Sequence, residues 1–575
     1  MCTFEAIMKR ILVGSVVLFC ALFACSQEQG NPAIKMDQVG YLSSAQKIAV
    51  VTAPAQTFAV KRVSDGKAVL EGKLSPAQKD ADTGDSVQLA DFSKVREAGN
   101  YYLEVPGVGS SWRFSIGPDV FSRAYYLAMR AFYGQRCGTA VDLGPEFPGY
   151  KHPACHLKGA FSASSGKEGE FDDAGGWHDA GDFGRYIPSS AVTVASLMWA
   201  QDLYGAKTDK ISLKIPESGN GTPDLLNETR WNLEWMLKLQ DADGGVWQKQ
   251  TSPGFPGFMM PEDDKTVSEV IGTGSDPYKS TCATADLAAV SAMVARVYKP
   301  YDAKFAARSL EAARKAWKWV LDHPNVTFKN PKGVHTGEYP DSQCGDEMLW
   351  ASAELWRTTG EAEFNKYFAA NYGKFTEKMQ APPPENWAEM SPFAAWSYLL
   401  SGRKGDAKAT ADVRKAVVDA ANDIVKRTRA NAYRTSMVAK DYVWGSNSVA
   451  AQYGMQLLIT NKIARHPAYV EVAADNLHYI FGRNAFSVSW VTQVGENPFK
   501  HPHHRPSEAD RLSEPWPGLV SGGPNANRQD GELRAIAADT PPAKIWVDKW
   551  QSAAGNEIAI NWQGVLVFLL AGQLQ

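Results

Sequence analysis

The feature that most constrains this chain is a change of hydrophobic period at Phe121. Before it, β-rich runs such as Ile48-Ala49-Val50-Val51, Phe58-Ala59-Val60 and Tyr101-Tyr102-Leu103-Glu104-Val105 are separated by turn formers at Ser64-Asp65-Gly66 and Ala98-Gly99-Asn100. Ser111-Trp112-Arg113-Phe114-Ser115-Ile116 alternates with the period of two expected of a half-buried strand. After Phe121, apolar residues recur three and four apart, as at Leu310, Ala313, Ala316 and Trp317, which is the amphipathic-helix pattern. Helices are expected over 121–134, 189–204, 223–240, 283–300, 303–322, 346–359, 362–378, 409–428, 446–463, 467–481 and 557–572. Long loops rich in Gly, Pro and aromatics join them at 137–188, 241–281 and 485–555. At 575 residues the chain exceeds one ordinary core. The expected organisation is multidomain: an immunoglobulin-like β-sandwich over 26–117, then an all-α unit over 118–575. About a dozen helices are too many for a four-helix bundle and are expected to pair around a barrel whose long loops carry function.

Residues 1–25 read as an export signal. Lys9-Arg10 precede an apolar run from Ile11 to Phe23, short for a membrane span and suited to a signal. Leu22-Phe23-Ala24-Cys25-Ser26 resembles a bacterial lipobox, which makes Cys25 the expected lipidation site and a lipid anchor the expected membrane contact. Ser26 after the cysteine points to the outer membrane or cell surface; an ordinary secretory signal, giving a periplasmic or secreted protein, is the alternative. With a net charge of -3 and scattered basic residues, no nucleic-acid partner is expected, and the chain is expected to be a monomer.

Asp179 and Asp182 lie three apart in Gly175-Gly176-Trp177-His178-Asp179-Ala180-Gly181-Asp182, and a lone Glu557 stands in the apolar stretch Asn556-Glu557-Ile558-Ala559-Ile560. Hydrolysis of a glycosidic bond by water needs one carboxylate to deprotonate the water and one carboxylic acid to protonate the leaving oxygen. A bare Asp-x-x-Asp is otherwise a helix cap or a cation site, so the surrounding motifs decide.

From Asp37-Gln38-Val39-Gly40-Tyr41 to the C-terminal helix the chain resembles glycoside hydrolase family 9, in the subgroup with an N-terminal immunoglobulin-like domain. The resemblance implies an (α/α)6 barrel that hydrolyses β-1,4-glucans with inversion. Asp179-Ala180-Gly181-Asp182 matches the family's Asp-Ala-Gly-Asp, implying Asp182 as general base and Asp179 as its partner on the water. The segment from Gly495 to Arg505 fits a histidine signature, implying that His503 and Arg505 contact sugar hydroxyls. Trp546-Val547-Asp548 with Asn556 to Ile560 fits a second signature, implying Glu557 as general acid and Asp548 as a supporting carboxylate among the substrate-binding residues. That signature departs from the family at Ala553, where an aromatic is usual, and at Gln563-Gly564, which puts subsite shape in question. Trp444, in Tyr442-Val443-Trp444-Gly445-Ser446-Asn447, is either a sugar-stacking residue or core. Trp231 and Trp235 read as core.

Cys137, Cys155, His156 and His178 have the donor chemistry of a tetrahedral zinc site, while the spacing of Cys137 and Cys155 in an exported protein suits a disulfide. Relatives in the subgroup carry zinc at matching positions, so the resemblance favours structural zinc. Cys282 and Cys344 are expected to be buried free thiols. Thr336-Gly337-Glu338-Tyr339-Pro340-Asp341 with Asp346-Glu347 resembles the family's calcium loop, rich in the oxygens a hard cation takes; a solvated acidic loop capped by Asp346 is the alternative.

The implied substrate is a cellulose-like or mixed-linkage β-glucan or a cello-oligosaccharide. Two rivals stand beside an endo-acting glucanase. One is an exo-acting glucosidase, cellobiohydrolase or glucosaminidase on β-linked oligosaccharides. The other is a non-catalytic surface glycan-binding protein, against which the separated acid and base argue.

Overall fold

A computed structural model describes residues 30–380 and 386–575. The apolar leader and Cys25, on which the signal and lipidation readings fall, lie outside the described residues. No helix among the described residues is long and apolar enough to cross a membrane.

The N-terminal unit is a β-sandwich. One sheet runs in the order Ile34–Lys35, Ile48–Val51, Ser86–Asp91, Gln78–Lys79; the other runs Gly40–Tyr41, Phe114–Ile116, Gly99–Val105, Thr57–Arg62, Ala68–Lys73. Alternation decides which residues fill the gap between them. Along Gly99–Val105, Tyr101, Leu103 and Val105 point inward, while Tyr102 and Glu104 do not. They meet Ile34, Val51, Phe58, Val60 and Phe114 in a core of their own.

From Ser122 onward the chain forms two concentric rings of helices. Among the described residues, six inner helices, Ile187–Thr208, Thr281–Val297, Gly345–Thr359, Ser391–Leu399, Ser446–Ile463 and Ile560–Gln573, each touch the next and close on themselves. An outer helix backs each: Asp224–Lys238, Ala303–Asp322, Ala362–Asn371, Ala407–Ala430, Pro467–Ile480 and Ser122–Gly134, in the same order. The composition of each ring follows from what surrounds it. Ile560–Gln573 is buried on nearly every side, so it carries little polar character in any direction. Ala303–Asp322 buries Phe305, Ala312, Ala313, Ala316 and Val320 along one stripe and leaves its lysines outside. This is the (α/α)6 arrangement.

Two expected helices are broken. The span 362–378 divides at Tyr372–Lys374 into Ala362–Asn371 and Thr376–Gln380. The span 557–572 starts later, at Ile560, after a short separate turn Ala553–Asn556, and Glu557 lies in the gap. Part of the loop region 137–188 is strand. Glu170–Asp172, Lys158–Phe161, Ser268–Ile271, Lys249–Thr251 and Arg185–Tyr186 form one mixed sheet beside the mouth of the barrel.

The sandwich grips the barrel through polar contacts. Asp37 Oδ2 is 2.7 Å from His478 Nδ1, both buried, and Lys35 Nζ donates to the Ala485 carbonyl at 2.7 Å. The Gln38 amide donates to Ser487 O at 2.9 Å and accepts from Asn497 N at 2.7 Å. The loop so held leads directly into His501–Arg505.

Candidate active site

The residues lining a cavity of about 580 Å3 at one end of the barrel come mainly from the segments just before the inner helices. Asp179, Asp182 and Tyr186 precede Ile187–Thr208; Glu338 and Tyr339 precede Gly345–Thr359; Trp387 precedes Ser391–Leu399; Trp444 precedes Ser446–Ile463; Glu557 precedes Ile560–Gln573. His503, Arg505 and Phe255 close the remaining side.

Three segments far apart in sequence are stitched together through their backbones. Ile560 N donates to Asp179 O at 2.8 Å, His503 N to Asn556 O at 2.8 Å and Arg505 N to Gly181 O at 3.2 Å. The approach at Gly181 explains the residue: a Cβ there would lie 1.9 Å from the His503 carbonyl oxygen. Asn556 fixes the turn before Glu557 by donating to Val547 O at 2.6 Å and Lys549 O at 2.8 Å, while its own oxygen accepts from the Trp546 indole at 2.6 Å.

Each carboxyl has a distinct environment. Asp179 accepts from the hydroxyls of Ser189 and Tyr339, one on each oxygen. Burial, with the neighbouring Asp182 charge, pushes it up to about 7 against those two hydrogen bonds. Asp182 accepts from Gly184 N at 3.0 Å and Tyr186 OH at 3.2 Å, both on Oδ2. Burial raises it too, opposed by the Arg505 charge and these donors. Glu557 accepts from the Trp444 indole N–H at 2.9 Å. Burial, then the charges of Asp182 and Asp179, push it up to about 8.

His503 Nδ1 lies 2.6 Å from the Trp550 carbonyl, an acceptor only, so Nδ1 carries the proton and Nε2 is left as acceptor. Burial lowers its pKa, which favours the neutral ring. Arg505 is anchored by Gly181 O at 2.7 Å and Pro256 O at 2.9 Å, and burial pulls its pKa down while Asp182 and Glu557 pull it up.

Several sequence expectations meet a different placement. Asp548 is not on the cavity wall; its two oxygens accept from Lys500 N and His501 N, each at 2.9 Å, so it holds the histidine segment instead of touching sugar. Trp444 is 38% exposed and on the cavity wall, not core. Trp235 is fully buried, as read, whereas Trp231 is only partly so. Tyr339, Tyr186 and Ser189, the hydroxyl partners of the aspartates, were not singled out: no spacing rule links residue 339 to residue 179.

A family model described as Glycosyl hydrolase family 9 matches residues 121–570, and one described as Cellulase N-terminal ig-like domain matches residues 29–110. The chain belongs to glycosyl hydrolase family 9. The enzyme is thus a glycoside hydrolase with an immunoglobulin-like N-terminal unit. It is 35% identical to Endoglucanase D of Acetivibrio thermocellus over 95% of this chain and 84% of that one. It is 34% identical to a Cellodextrinase of Butyrivibrio fibrisolvens over 94% of this chain and 100% of that one. A Zn-binding triple mutant of GH family 9 endoglucanase J30 superposes with a TM-score of 0.85 at 34% identity, over 93% of this chain and 99% of that one.

Among its described residues the family 9 enzyme carries two groups of metal-ligand type. Cys137, Cys155, His156 and His178 bring their ligand atoms within 4.8 Å of one another, both thiols are free, and the alternative Cys137–Cys155 disulfide is not formed. His156 Nδ1 is buried without a hydrogen-bond partner, an orphan that a metal would satisfy, and Nε2 faces Asp264 Oδ2 at 3.4 Å. The donor set fits a closed tetrahedral ion. The reading of Cys282 and Cys344 as free thiols is corrected: they form a disulfide that ties the starts of Thr281–Val297 and Gly345–Thr359.

The expected calcium loop divides in two. Gly337 to Tyr339 are bound into the cavity wall, apart from Asp346 and Glu347: Glu338 accepts from Asn330 N at 2.9 Å and Tyr339 binds Asp179. Asp341, Asp346 and Glu347 gather with Asp286 instead. Both oxygens of Glu347 and of Asp286 are buried without hydrogen-bond partners, and Asp346 accepts from Met390 N at 2.7 Å. Uncompensated buried carboxylates of this kind fit a hard cation.

Proposed function

We propose that the enzyme hydrolyses β-1,4-glucosidic bonds in cellulose-like or mixed-linkage glucans and cellodextrins, with inversion at the anomeric carbon. The observation that carries this reading is the sharing of one cavity by Asp182, Asp179 and a Glu557 whose carboxyl stays protonated up to about pH 8. Asp182 is the general base, receiving the water proton on the oxygen not used by Gly184 and Tyr186. Asp179 holds the same water. The water oxygen bonds to the anomeric carbon, the glycosidic C–O bond breaks from the opposite face, and the departing oxygen takes the proton of Glu557. Solvent then returns a proton to Glu557 and removes one from Asp182.

His503 Nε2 accepts a sugar hydroxyl, and Arg505 lends positive charge to the side where the base works. Trp444 supplies a ring face for stacking and holds Glu557 until substrate arrives. Zinc on Cys137, Cys155, His156 and His178 would brace the segment that carries Asp179, with no open position for chemistry. Calcium on Asp346 and Glu347, with Asp341, would neutralise the buried acids near Tyr339. Residues 1–25 are a lipoprotein signal and Cys25 anchors a monomer at the cell surface.

The time course of products from cellohexaose and mixed-linkage glucan, with Glu557→Gln protein as the blank, tests the proposal. Mid-chain fragments appearing first, and absent with the variant, are expected. The full-length similarity to a cellodextrinase favours a second reading, in which glucose or cellobiose is released alone from the start. Inactivity on every β-glucan would overturn both.

A further inference from the structure

Lys249 is fully buried, yet among the described residues no carboxylate lies within ion-pair distance of its amine. Its Nζ lies 2.6 Å from Asn330 Oδ1, 2.8 Å from Gly337 O, and 3.3 Å from both Thr336 O and Thr336 Oγ1. Three of these atoms can only accept, so the protonated amine, with three hydrogens, suits the site and the neutral amine does not. Burying an ammonium is costly, and burial indeed pulls this one down to about 7, while Asp182 and Glu338 pull it up. A leucine or methionine would fill the volume without that cost, so the charge has a use beyond packing.

Its position says what the use is. In the ladder of Arg185–Tyr186 with Lys249–Thr251, Lys249 pairs with Tyr186, whose hydroxyl donates to Asp182. The acceptors Thr336 and Gly337 stand just before Tyr339, whose hydroxyl bonds Asp179. The rings of Tyr186 and Tyr339 touch, with centroids 4.9 Å apart, and the ammonium lies 5.6 Å from the Tyr186 centroid. One side chain therefore joins the strand that serves one aspartate to the loop that serves the other.

We propose that Lys249 is a positioning residue for hydrolysis: it fastens the 336–339 wall loop to the sheet so that Tyr186 and Tyr339 present their hydroxyls to Asp182 and Asp179 together. This rests on the reading of that aspartate pair as the water-activating group. The charges that act on it are those of Asp182, from the segment before the strand pair, and Glu338, from the wall loop, and the Tyr186 ring lies beside it.

The test is Lys249→Met, of similar volume and neutral, assayed on cellohexaose across pH beside Asp182→Asn. The expected result is a fall in kcat of roughly 30-fold or more with KM changed less than about threefold, as lost alignment of reacting groups predicts. The acidic limb of kcat/KM should also move to higher pH, since a Tyr186 hydroxyl that no longer reaches Asp182 no longer opposes the burial that raises this carboxyl; a part that merely stiffened the fold would leave that limb in place. Unchanged kcat, or a lowered kcat with the limb unmoved, overturns the proposal. Should Lys249→Met fail to fold, Asn330→Leu removes the shortest contact from the loop side and must lower kcat in the same way, a wild-type kcat being the contrary result. Activity retained by Asp182→Asn would refute the reading of the aspartates, whereas a dead Asp182→Asn beside a normal Lys249→Met refutes only the role given to Lys249.

Discussion

Replacing Trp444 by Phe isolates the control of the proposed acid. The indole N–H donates to Glu557 Oε2 at 2.9 Å and opposes the burial that raises this carboxyl to about 8. Phe keeps a ring for stacking and removes only the donor. A hydrogen bond to a charged group contributes about 1.5–3 kcal/mol, against about 0.5–1.5 for a neutral pair, so the bond favours the ionised form by about 1 kcal/mol. At about 1.4 kcal/mol per pKa unit, its loss raises the Glu557 pKa by roughly 0.7. Trp444 is 38% exposed, and water replacing the donor reduces this to about half a unit. Activity needs the protonated acid and is lost as pH rises through its pKa. The variant should therefore hold kcat/KM to a pH about half a unit higher than wild type. The assay is initial rate on cellohexaose between pH 5 and 10, because kcat/KM reports the free enzyme's groups. A weakened stacking contact would raise KM equally at all pH and leave the limb in place. A basic limb that stays put or moves to lower pH would refute the link between Trp444, Glu557 and the high-pH decline.

Other consequences are open to test. Glu557→Gln should stabilise the fold increasingly as pH rises. The folded pKa of about 8 lies above the ordinary glutamate value of 4.5, so between those values the unfolded chain sheds a proton that the buried acid keeps, and the native state loses stability until pH 8. The Tm gain of the variant should be small near pH 4.5 and largest above pH 8; a constant gain would contradict the assignment. Gly181→Ala drives a methyl into the His503 carbonyl and should lower kcat by about 100-fold or more, a near-normal rate being the contrary result. Replacing both Cys282 and Cys344 by Ala opens a link between residues 62 apart, worth about 4 kcal/mol in the chain-entropy model, and should lower Tm measurably under non-reducing conditions. Elemental analysis should find zinc, and thiol reagents should reach Cys137 and Cys155 only after chelation; a metal-free protein with those cysteines disulfide-bonded would contradict the zinc assignment.

Helices on the outer ring were legible because one face meets solvent and the other does not, which writes a period into residues such as Phe305, Ala313 and Val320. The inner Ser391–Leu399 was not: it spans nine residues, is buried all round, and so writes no period. The sheet containing Lys249–Thr251 was invisible for a related reason, since strands of two to four residues are too short to show alternation. The aspartates and Glu557 stood out because their neighbours form compact motifs. Tyr339 and Lys249 did not, because their partners lie far away in sequence and only the closed barrel brings them together. Glu557 shows the same limit in miniature: its apolar neighbours suggested a helix start, whereas the break between Ala553–Asn556 and Ile560–Gln573 frees its side chain for the cavity. Cys282 and Cys344 each stand at the start of a helix, and their pairing follows from ring closure, which no local pattern records.

The central claim is single displacement by water, with Asp182 as base and Glu557 as acid. The most direct measurement is proton NMR of the anomeric signals during the first minutes of cellohexaose hydrolysis, before mutarotation mixes them. The account predicts that the newly formed reducing end appears first as the α-anomer. Initial release of the β-anomer would mean two displacements through a covalent intermediate and would contradict the roles given to both residues.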